Sequence, residues 1–417
     1  MVRRIFFLTF VSAFFYISVS GSVVGLTLVL DTHINTHIPR RHHRNFSQTT
    51  EGILMNSLYA IRDSRIDVAL RGMETLVETH PEFRLAQLIY GDLLLSKGHL
   101  ITNVGSYPDA PSDKVVGLRE EARQRFKHHL YFPNLSTLPE YLVRLGEDLT
   151  RVVVVDISKS RLYLYDRRDK KIHLRGDYYV SVGKNGFPKR SEGDRKTPIG
   201  VYVTTGSISS DGLPDRYGVG AFPINYPNEW DKRFGRTGNG IWIHGVSKDT
   251  YSRTPRASDG CIVIANEDLL SIKDILSTPN TPVILAKKIS WVENEDIVAL
   301  QNRFQEQFHR WRRDWESLNY RNYAKYYSQD FRNETKSRVS WLRRKRYVNA
   351  GKRYIKVRIS NLSIFGYPGE RDMLVVTFDQ DYRSNNYSNR SKKRQYWRQE
   401  KNNIWRIVYE NTLSQIQ

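Results

Sequence analysis

The feature that most constrains the fold is a series of short β-branched and aromatic runs in the middle of the chain. Gly, Pro and Asp clusters separate these runs, and each run is too short for a helix, so the pattern predicts β-strands. The runs are VVVV (152–155), RLYLYD (161–166), YYVSV (178–182), VYVTT (201–205), IWI (241–243), IVI (262–264) and PVILA (282–286). We therefore predict a mainly β domain over residues 150–288, with at most a short helix near Asn266 to Leu276.

Helical periodicity is present on both sides of this domain. Upstream, Ala69, Met73 and Leu76 share one helix face, which predicts a helical accessory region over residues 51–148. Within it, the stretch from Gly52 to Gly98 resembles a single tetratricopeptide-like hairpin. Downstream, apolar residues recur every three or four positions, and alternating strands follow. This apolar stripe comprises Leu300, Phe304, Phe308, Trp311, Trp315 and Leu318. The sequence thus predicts a multidomain protein whose C-terminal part, residues 292–417, is an α+β domain.

The first 30 residues contain an uncharged run from Ile5 to Leu30, preceded by Arg3 and Arg4. A helix of this length can cross a bilayer, and the basic residues before it predict a cytoplasmic N-terminus. A cleaved signal sequence is the alternative, but the run is longer than the usual apolar core of such a signal. We expect an inner-membrane anchor, a polar linker over residues 31–50 and a protein body exported to the periplasm or cell envelope.

The chain is strongly basic, with 65 Lys and Arg residues against 44 Asp and Glu residues. The excess is concentrated in residues 301–417, which carry 26 basic and 11 acidic side chains. Such a surface favours anionic partners, so an acidic envelope partner or a glycan is expected at the C-terminal domain. The export signal argues against nucleic acid as the partner. No phosphate-binding loop, dinucleotide fingerprint or zinc spacing is present, so neither a cofactor nor a metal is expected.

Cys261 is the only cysteine in the chain, so it cannot form an internal disulfide. It begins one predicted strand, whereas His244 ends another, and neighbouring strands would bring the imidazole near the sulfur. A histidine that accepts the thiol proton converts cysteine to the attacking thiolate. The small Gly260 lets backbone N–H groups turn toward a developing oxyanion. A buried, inert cysteine is the alternative from spacing alone.

The region around these residues resembles the signature of the L,D-transpeptidase family, also called the YkuD-type fold. That signature is a His-Gly pair followed by Ser/Thr-x-Gly-Cys, with a G-x-x-x-T-P-x-G segment upstream. The matching segments are His244-Gly245, SDGC (258–261), GDRKTPIG (193–200), 218–223 and 238–241. The resemblance covers roughly residues 150–287 and implies a β-sandwich-like catalytic domain.

The resemblance also implies roles for individual residues. Cys261 would be the nucleophile and His244 the general base, with the carbonyl of Gly245 orienting the imidazole and the N–H of Gly260 facing the oxyanion. Two positions depart from the family pattern, because Asp259 replaces a second histidine and Val263 replaces an arginine. We expect the substrate to contact Ser258, Arg256, Arg253 and Lys196, the three basic residues being candidates to replace the missing arginine.

The C-terminal region is similar to nuclear-transport-factor-2-like domains, which form cone-shaped α+β pockets. Together the two resemblances imply a peptidoglycan L,D-transpeptidase that acts on stem tetrapeptides through a cysteine acyl-enzyme, for crosslinking or protein attachment. Trimming of tetrapeptides to tripeptides by an L,D-carboxypeptidase is the first alternative, because similar C-terminal domains accompany enzymes that modulate cell shape. A non-catalytic envelope scaffold is the second.

Overall fold

The computed structural model describes residues 15–16, 27–28, 46–98, 103–105, 112–169, 171–370 and 372–416. Near the N-terminus, β1 (Phe15–Tyr16) pairs antiparallel with β2 (Thr27–Leu28). Apart from these dipeptides, the expected anchor over residues 5–30 and the linker up to residue 45 lie outside the described residues. Within the described ranges, no helix combines the length and the apolar character needed to cross a membrane.

The chain divides into two compact units, and the first, the helical unit, comprises residues 1–132 together with 247–255. Its described part is built from four helices around a core that includes Leu54, Met73 and Leu85, each fully buried. The hydroxyl of Thr49 accepts the Gly52 N–H and caps the first helix. The helices are α1 (Thr50–Arg62), α2 (Ile66–Thr79), α3 (Arg84–Leu95) and α4 (Ser112–Leu130), preceded by a 3₁₀ turn (Phe46–Gln48).

The short segment 247–255 packs with these helices although it is distant from them in sequence. The Tyr251 ring lies 4.3 Å from the Phe83 ring and 4.9 Å from the His80 ring. Ser252 donates a 2.6 Å hydrogen bond to the buried carboxylate of Glu121, which also pairs with Arg125. The segment is therefore an integral part of the helical unit's core.

The second unit, the sheet unit, comprises residues 133–246 and 256–417. Its first part contains all seven predicted strands and the predicted short helix. The strands are β3 (Thr137–Pro139), β4 (Leu142–Arg144), β5 (Arg151–Asp156), β6 (Arg161–Arg168), β7 (Lys171–Gly183), β8 (Gly200–Val203), β9 (Ala221–Pro223), β10 (Trp242–His244), β11 (Arg256–Ser258), β12 (Ile262–Ile264), β13 (Pro282–Ala286) and β14 (Trp291–Glu293). The helices are α5 (Glu229–Arg233) and α6 (Asn266–Ser277), with a 3₁₀ turn at Asp215–Tyr217.

The C-terminal part of the sheet unit is an α+β domain, as the sequence predicts. Its apolar stripe lies on α7, where Phe304, Phe308, Trp311 and Trp315 are buried against the sheet. Its helices are α7 (Asn294–Glu316), α8 (Tyr320–Ala324) and α9 (Arg338–Ala350). Its strands are β15 (Ile355–Gly366), β16 (Met373–Ser384), β17 (Tyr387–Glu400) and β18 (Ile404–Gln415), with a 3₁₀ turn at Lys401–Asn403.

Two large sheets organise the unit. The nine-stranded sheet has the order β8-β13-β5-β6-β7-β12-β10-β9, with β11 paired to β7. The five-stranded sheet has the order β18-β17-β16-β15-β4, and β14 pairs separately with β3. The predicted multidomain architecture of helices, a mainly β domain and an α+β domain is confirmed. The helices end at Leu130, earlier than the expected boundary at 148, because the buried Leu142 and Val143 form a strand that extends the C-terminal sheet.

Trp230 lies in a hydrophobic core that the two sheets of this unit share. It is fully buried and stacks on Tyr396 of β17 with a 5.3 Å centroid separation. Its indole N–H donates to Glu370 at 3.1 Å, and the neighbouring Glu229 pairs with Arg394 at 3.2 Å. Helix α5 thus connects the mainly β domain to the C-terminal domain through both apolar and charged contacts.

Candidate active site

Strand pairing brings the expected histidine and cysteine to one face of the nine-stranded sheet. β10 and β12 are parallel neighbours, and His244 is the register partner of Val263. Cys261 lies in the bend directly before β12, two residues from Val263, so the alternation of side chains, continued one residue beyond the strand, directs it to the face of His244. The intervening Ile243 and Ile262 point to the opposite face and belong to the core.

His244 is held in one orientation by its neighbours. Its Nδ1 lies 2.7 Å from the carbonyl oxygen of Gly245, and a carbonyl only accepts, so Nδ1 carries the proton. The neutral ring then has Nε2 as its basic nitrogen. Tyr217 packs edge-on against the imidazole at 4.9 Å, and His244 is only 3% exposed. The ring is therefore fixed in both tautomer and direction.

Cys261 follows a tight turn whose polar groups bond to one another. Its thiol donates to the carbonyl of Gly240 at 3.4 Å, and the side chain is partly exposed. Ser258 Oγ donates to the Cys261 carbonyl at 2.6 Å and accepts the Gly260 N–H at 3.1 Å. Ser258, which the sequence leads us to expect at the substrate, is 2% exposed, and its hydroxyl is bonded within the turn. The Gly260 N–H, expected to face an oxyanion, is directed at this hydroxyl.

The turn also depends on the absence of a side chain at Gly260. Its φ is +124°, and a Cβ there would lie 2.7 Å from the carbonyl oxygen of Lys196. Thr197, which is fully buried, donates to the Gly260 carbonyl at 3.0 Å and accepts the Gly183 N–H at 2.9 Å. Through Thr197, the GDRKTPIG segment therefore holds the cysteine turn in place.

Asn266 is a positioning residue that the sequence pattern does not reveal. Its Oδ1 accepts the Val246 N–H at 3.1 Å, and its Nδ2 donates to the Val246 carbonyl at 2.9 Å. A Cβ on Gly245 would lie 2.1 Å from Asn266 Oδ1, so only glycine fits there. By holding Val246, Asn266 fixes the Gly245 carbonyl that orients His244. A lone asparagine at a helix start has no motif that would have identified it.

Replacing Asn266 by alanine should lower kcat about tenfold, because both polar groups of buried Val246 lose their partner and the Gly245 carbonyl loses its support. An unsatisfied buried group costs about 1–3 kcal/mol, so the melting temperature should also fall. Steady-state kinetics with the stem tetrapeptide that the sequence leads us to expect as substrate, together with thermal melting, would measure the two effects. Asp274→Ala, at an exposed position of α6, is the control. An unchanged kcat in Asn266→Ala would remove the positioning role.

Asp194 organises the loop that supports the cysteine turn. It accepts hydrogen bonds from Lys189 Nζ at 2.9 Å and from the backbone N–H groups of Arg190 and Lys196 at 2.8 and 3.1 Å. Desolvation opposes ionisation of this carboxyl, but together the bonds outweigh it and lower its pKa to about 2. The carboxylate therefore stays charged in any mildly acidic medium.

The stabilising effect of Asp194 should show a defined pH dependence. Because its folded pKa lies below the ordinary value of 3.8, the contribution is complete above that value and disappears as the pH falls through about 2. We expect Asp194→Asn to melt below the wild type by a constant margin above pH 4, with the margin shrinking toward pH 2. Melting curves across this range test this, with exposed Asp211→Asn as control. A margin independent of pH would contradict the assignment.

Asp259 stands where the resembled family often has histidine. Neighbouring cations compensate the negative charge of its carboxylate. Lys184 Nζ lies 2.9 Å and Arg195 Nε lies 3.8 Å from its carboxylate. The Lys184 hydrogen bond, with the fields of Lys184, Arg195 and Arg216, lowers the pKa of Asp259. An isolated carboxylate beside Cys261 would disfavour the thiolate, but these cations offset that repulsion.

The three basic residues expected to contact substrate lie in different surroundings. Arg256 is exposed at the start of β11, beside β7. Lys196 is half-buried, and its backbone lies against Gly260. Arg253 belongs to segment 247–255 of the helical unit. In the described part of the chain, no cluster of three His, Cys, Asp or Glu side chains is arranged to hold a metal ion.

Comparison with known families defines the class of each domain. The profile of the L,D-transpeptidase catalytic domain, YkuD, matches residues 150–285. The profile of the Cds6 C-terminal NTF2-like domain matches residues 303–411. The sheet unit thus contains one region that matches an L,D-transpeptidase catalytic domain and a following region that matches an NTF2-like domain, as the motifs predict.

Individual relatives agree with this assignment. YafK of Escherichia coli (strain K12), provisionally named an L,D-transpeptidase, is 32% identical over 113 residues, or 26% of this chain and 44% of YafK. The chain therefore spans less than half the length of this curated relative. The solved structure of Bdellovibrio bacteriovorus Bd1075 has a TM-score of 0.59 and 26% identity, covering 67% of this chain and 99% of Bd1075. The solved structure of Pgp2 of Campylobacter jejuni, described as a helical cell shape determining protein, has a TM-score of 0.55 and 26% identity. The match covers 65% of this chain and 96% of Pgp2.

Proposed function

We propose that this protein is a peptidoglycan L,D-transpeptidase in which Cys261 forms an acyl-enzyme with a stem tetrapeptide. The observation that carries the proposal is the parallel register of β10 and β12, in which His244 pairs with Val263 while Cys261 directly precedes β12. The orientation of His244 by the Gly245 carbonyl supports it, since this bond leaves Nε2 as the base. The match of residues 150–285 to the L,D-transpeptidase catalytic domain supports the substrate class.

The first half of the reaction consumes the tetrapeptide. His244 Nε2 takes the thiol proton, and the sulfur of Cys261 attacks the carbonyl carbon between the third residue and the terminal D-alanine. The backbone N–H of Cys261 stabilises the oxyanion, and the Gly260 N–H joins it after breaking its hydrogen bond to Ser258. The C–N bond then breaks as protonated His244 gives its proton to the departing amine. A thioester remains on Cys261, and D-alanine is released.

The acceptor determines the product of the second half. An amine of a neighbouring stem peptide attacks the thioester carbon, the C–S bond breaks, and His244 takes the amine proton. A peptide crosslink forms and the thiolate is regenerated; a protein amine would give an attached protein. Water in place of the amine would make the protein an L,D-carboxypeptidase that trims tetrapeptides to tripeptides. Pgp2 is described as a cell shape determining protein, and for this reason the experiment below also tests for trimming of tetrapeptides to tripeptides.

The NTF2-like domain supports a second binding role toward the same polymer. It contains a cavity of about 660 Å³ whose lining includes four cationic side chains, Arg344, Lys345, Lys352 and Lys393. Lys345 Nζ lies over the Trp315 and Trp341 rings, at 5.0 and 4.8 Å from their centroids. We propose that this cavity binds an anionic group of peptidoglycan or of an acidic envelope partner. The basic side chains supply the attraction, and the Trp315 and Tyr382 rings line the cavity with apolar surface.

The proposed substrate lies outside the cytoplasm, so the proposal requires export. The uncharged run from Ile5 to Leu30 behind Arg3 and Arg4 is the sequence feature that supports export, and we propose that it anchors the protein in the inner membrane. After alkaline extraction, an anchored protein should remain in the membrane fraction, whereas a protein whose N-terminal run has been cleaved should be in the soluble fraction.

Product analysis tests the enzymatic proposal. Purified disaccharide tetrapeptides would be incubated with the full chain in mild detergent, beside its Cys261→Ala form, and analysed by mass spectrometry. We expect D-alanine release and 3-3 crosslinked dimers with the wild type only. A thioester adduct on Cys261 should also be seen after acid quenching. Tripeptide monomers without dimers would establish the carboxypeptidase.

If both forms leave the tetrapeptides intact but bind peptidoglycan equally, the protein is a non-catalytic envelope scaffold. Exposed Lys273→Met, which keeps Cys261 and His244, is the control for nonspecific loss of activity.

A further inference from the structure

Helix α9 lies in a stretch of the NTF2-like domain that carries basic residues and no acidic ones. Residues 335–369 contain ten Lys and Arg residues and neither Asp nor Glu. The exposed faces of α6 and α7 carry both signs, with Lys273 beside Asp274 on α6 and Arg310 paired with Glu306 on α7. Mixed charge is usual for a helix face that contacts only water, and α9 departs from it.

One side of α9 packs on the domain, whereas the other side stands in solvent. On the packed side, Leu342 is 3% exposed and belongs to the domain core. On the other side, Val339, Arg343, Arg346 and Tyr347 recur at helical spacing and are all exposed, Val339 by 62% and Tyr347 by 83%. We call these four residues the outer face of α9.

The two cations of the outer face have no anionic partner within the described residues. The ion pairs of this domain lie on α7 and on the strands, and none includes a side chain of α9. The Arg346 guanidinium lies 5.6 Å from the centroid of the Tyr320 ring, which carries no negative charge. Arg343 and Arg346 are three positions apart, so their like charges repel and weaken the helix. This uncompensated cost favours an anionic partner outside the domain.

The shape of the outer face favours a flat partner. Small anions and peptides bind in concave sites, such as the cavity of about 660 Å³ in this domain. Arg344 and Val348 of α9 line that cavity, and the four residues of the outer face do not. The outer face is a convex helix surface on which tyrosine and valine lie beside arginine. This combination is typical of helices that lie on the headgroups of a bilayer.

The loop after α9 has the same composition and a fixed backbone. Arg353 and Tyr354 are both exposed. The Arg353 N–H donates to the Asn385 side chain at 2.9 Å, and Lys352 Nζ donates to the Ser384 hydroxyl at 3.0 Å. These bonds attach the loop to the hairpin between β16 and β17. The basic and aromatic surface at this end of α9 is therefore part of the folded domain.

We propose that the outer face of α9 docks on the anionic headgroups of a phospholipid bilayer. Arg343 and Arg346 bind lipid phosphates through charge-assisted hydrogen bonds. Val339 and Tyr347 enter the headgroup layer, where side chains with an apolar body are favoured. Docking holds the NTF2-like domain at the membrane by a contact of its own. The inference goes beyond the proposed reaction and uses no residue of the candidate active site.

The test places one fluorescent label on the outer side of α9 in the full chain. Because Cys261 is the only cysteine, Ala350→Cys with Cys261→Ala gives a single labelling site at an exposed position of α9. The chain would be reconstituted into phosphatidylcholine vesicles with and without phosphatidylglycerol. Shielding of the label from an aqueous quencher gives the ratio of docked to free α9. We expect shielding only with phosphatidylglycerol, and less of it as salt is added.

Two double variants separate this surface from general charge. Arg343→Gln with Arg346→Gln should lower the docked-to-free ratio about thirtyfold, since each basic side chain near an anionic leaflet contributes a factor of about five. Arg303→Gln with Arg310→Gln removes the same charge from exposed positions of α7 and should leave the ratio unchanged. Tyr347→Ala should lower the ratio at every salt concentration, because its contact with the headgroup layer is not electrostatic.

Three outcomes would overturn the proposal. The label could be quenched equally in both kinds of vesicle, or Arg343→Gln with Arg346→Gln could keep the wild-type ratio. In the third outcome, soluble peptidoglycan fragments shield the label and the anionic vesicles do not, which would assign the outer face to that polymer. The label reports the position of α9 whether or not the N-terminal run spans the membrane. Docking is measured with Cys261 replaced, so failure of the proposed reaction cannot imitate failure of docking.

Discussion

Replacing His244 by glutamine should lower kcat/KM for the stem tetrapeptide by about a hundredfold to ten-thousandfold, the range for loss of a general base. Glutamine can still donate to the Gly245 carbonyl, so the backbone around the site should persist. It has no group that accepts the thiol proton or returns it to the leaving amine. Alkylation of Cys261 by iodoacetamide at pH 7 should slow in parallel, because the thiolate is the reacting form.

The control is His173→Gln, which removes an exposed imidazole on β7. Its kcat/KM and alkylation rate should equal those of the wild type. If His244→Gln alkylates slowly yet retains kcat/KM, another base performs the proton transfers. If both rates are unchanged, the imidazole has no part in the chemistry.

Replacing Trp230 by alanine should reduce the free energy of unfolding by about 3–5 kcal/mol, the usual cost of removing a fully buried large aromatic side chain. The loss combines the stack on Tyr396, the edge contact with Tyr367 and the hydrogen bond to Glu370. These contacts bring the catalytic and NTF2-like domains into a shared core, so the variant should also unfold less cooperatively. Urea titration followed by far-ultraviolet circular dichroism, with calorimetry, measures both effects.

Trp230→Phe is the matched variant, since it keeps a stacking ring and loses the hydrogen bond to Glu370. Its cost should be near 1 kcal/mol, and its unfolding should remain a single transition. A loss below 1 kcal/mol in Trp230→Ala would mean that the two domains do not depend on this core.

Local patterns were sufficient to predict most of the fold. All seven runs between residues 152 and 286 form strands, because β-branched side chains there are buried on both faces of a sheet. The stripe on α7 is buried because its spacing matches one helix face. The contributions of Trp230 and β4 were not predictable, since a single tryptophan among charged residues and a three-residue strand find their partners far along the chain.

The candidate site, like the fold, was predictable from the sequence only in part. The motif placed Cys261 and His244 at strand ends, and the structure puts those strands side by side. It could not reveal Asn266 or Asp194, because each acts on backbone groups that only the folded chain brings near. Nor could it show that the Ser258 hydroxyl forms hydrogen bonds within its own turn. Hydrogen bonds to backbone leave no residue pattern, so sequence identifies the reacting groups better than the groups that position them.

Segment 247–255 connects the strand of His244 to the strand of Cys261, yet its Tyr251 and Ser252 belong to the helical core. The helices are therefore not a detachable module. Cutting the gene at residue 133 to obtain a minimal enzyme would leave Tyr251 without its aromatic neighbours and Ser252 without the Glu121 carboxylate. Any such truncation alters the loop between base and nucleophile, so expression boundaries should keep the helices with the catalytic domain.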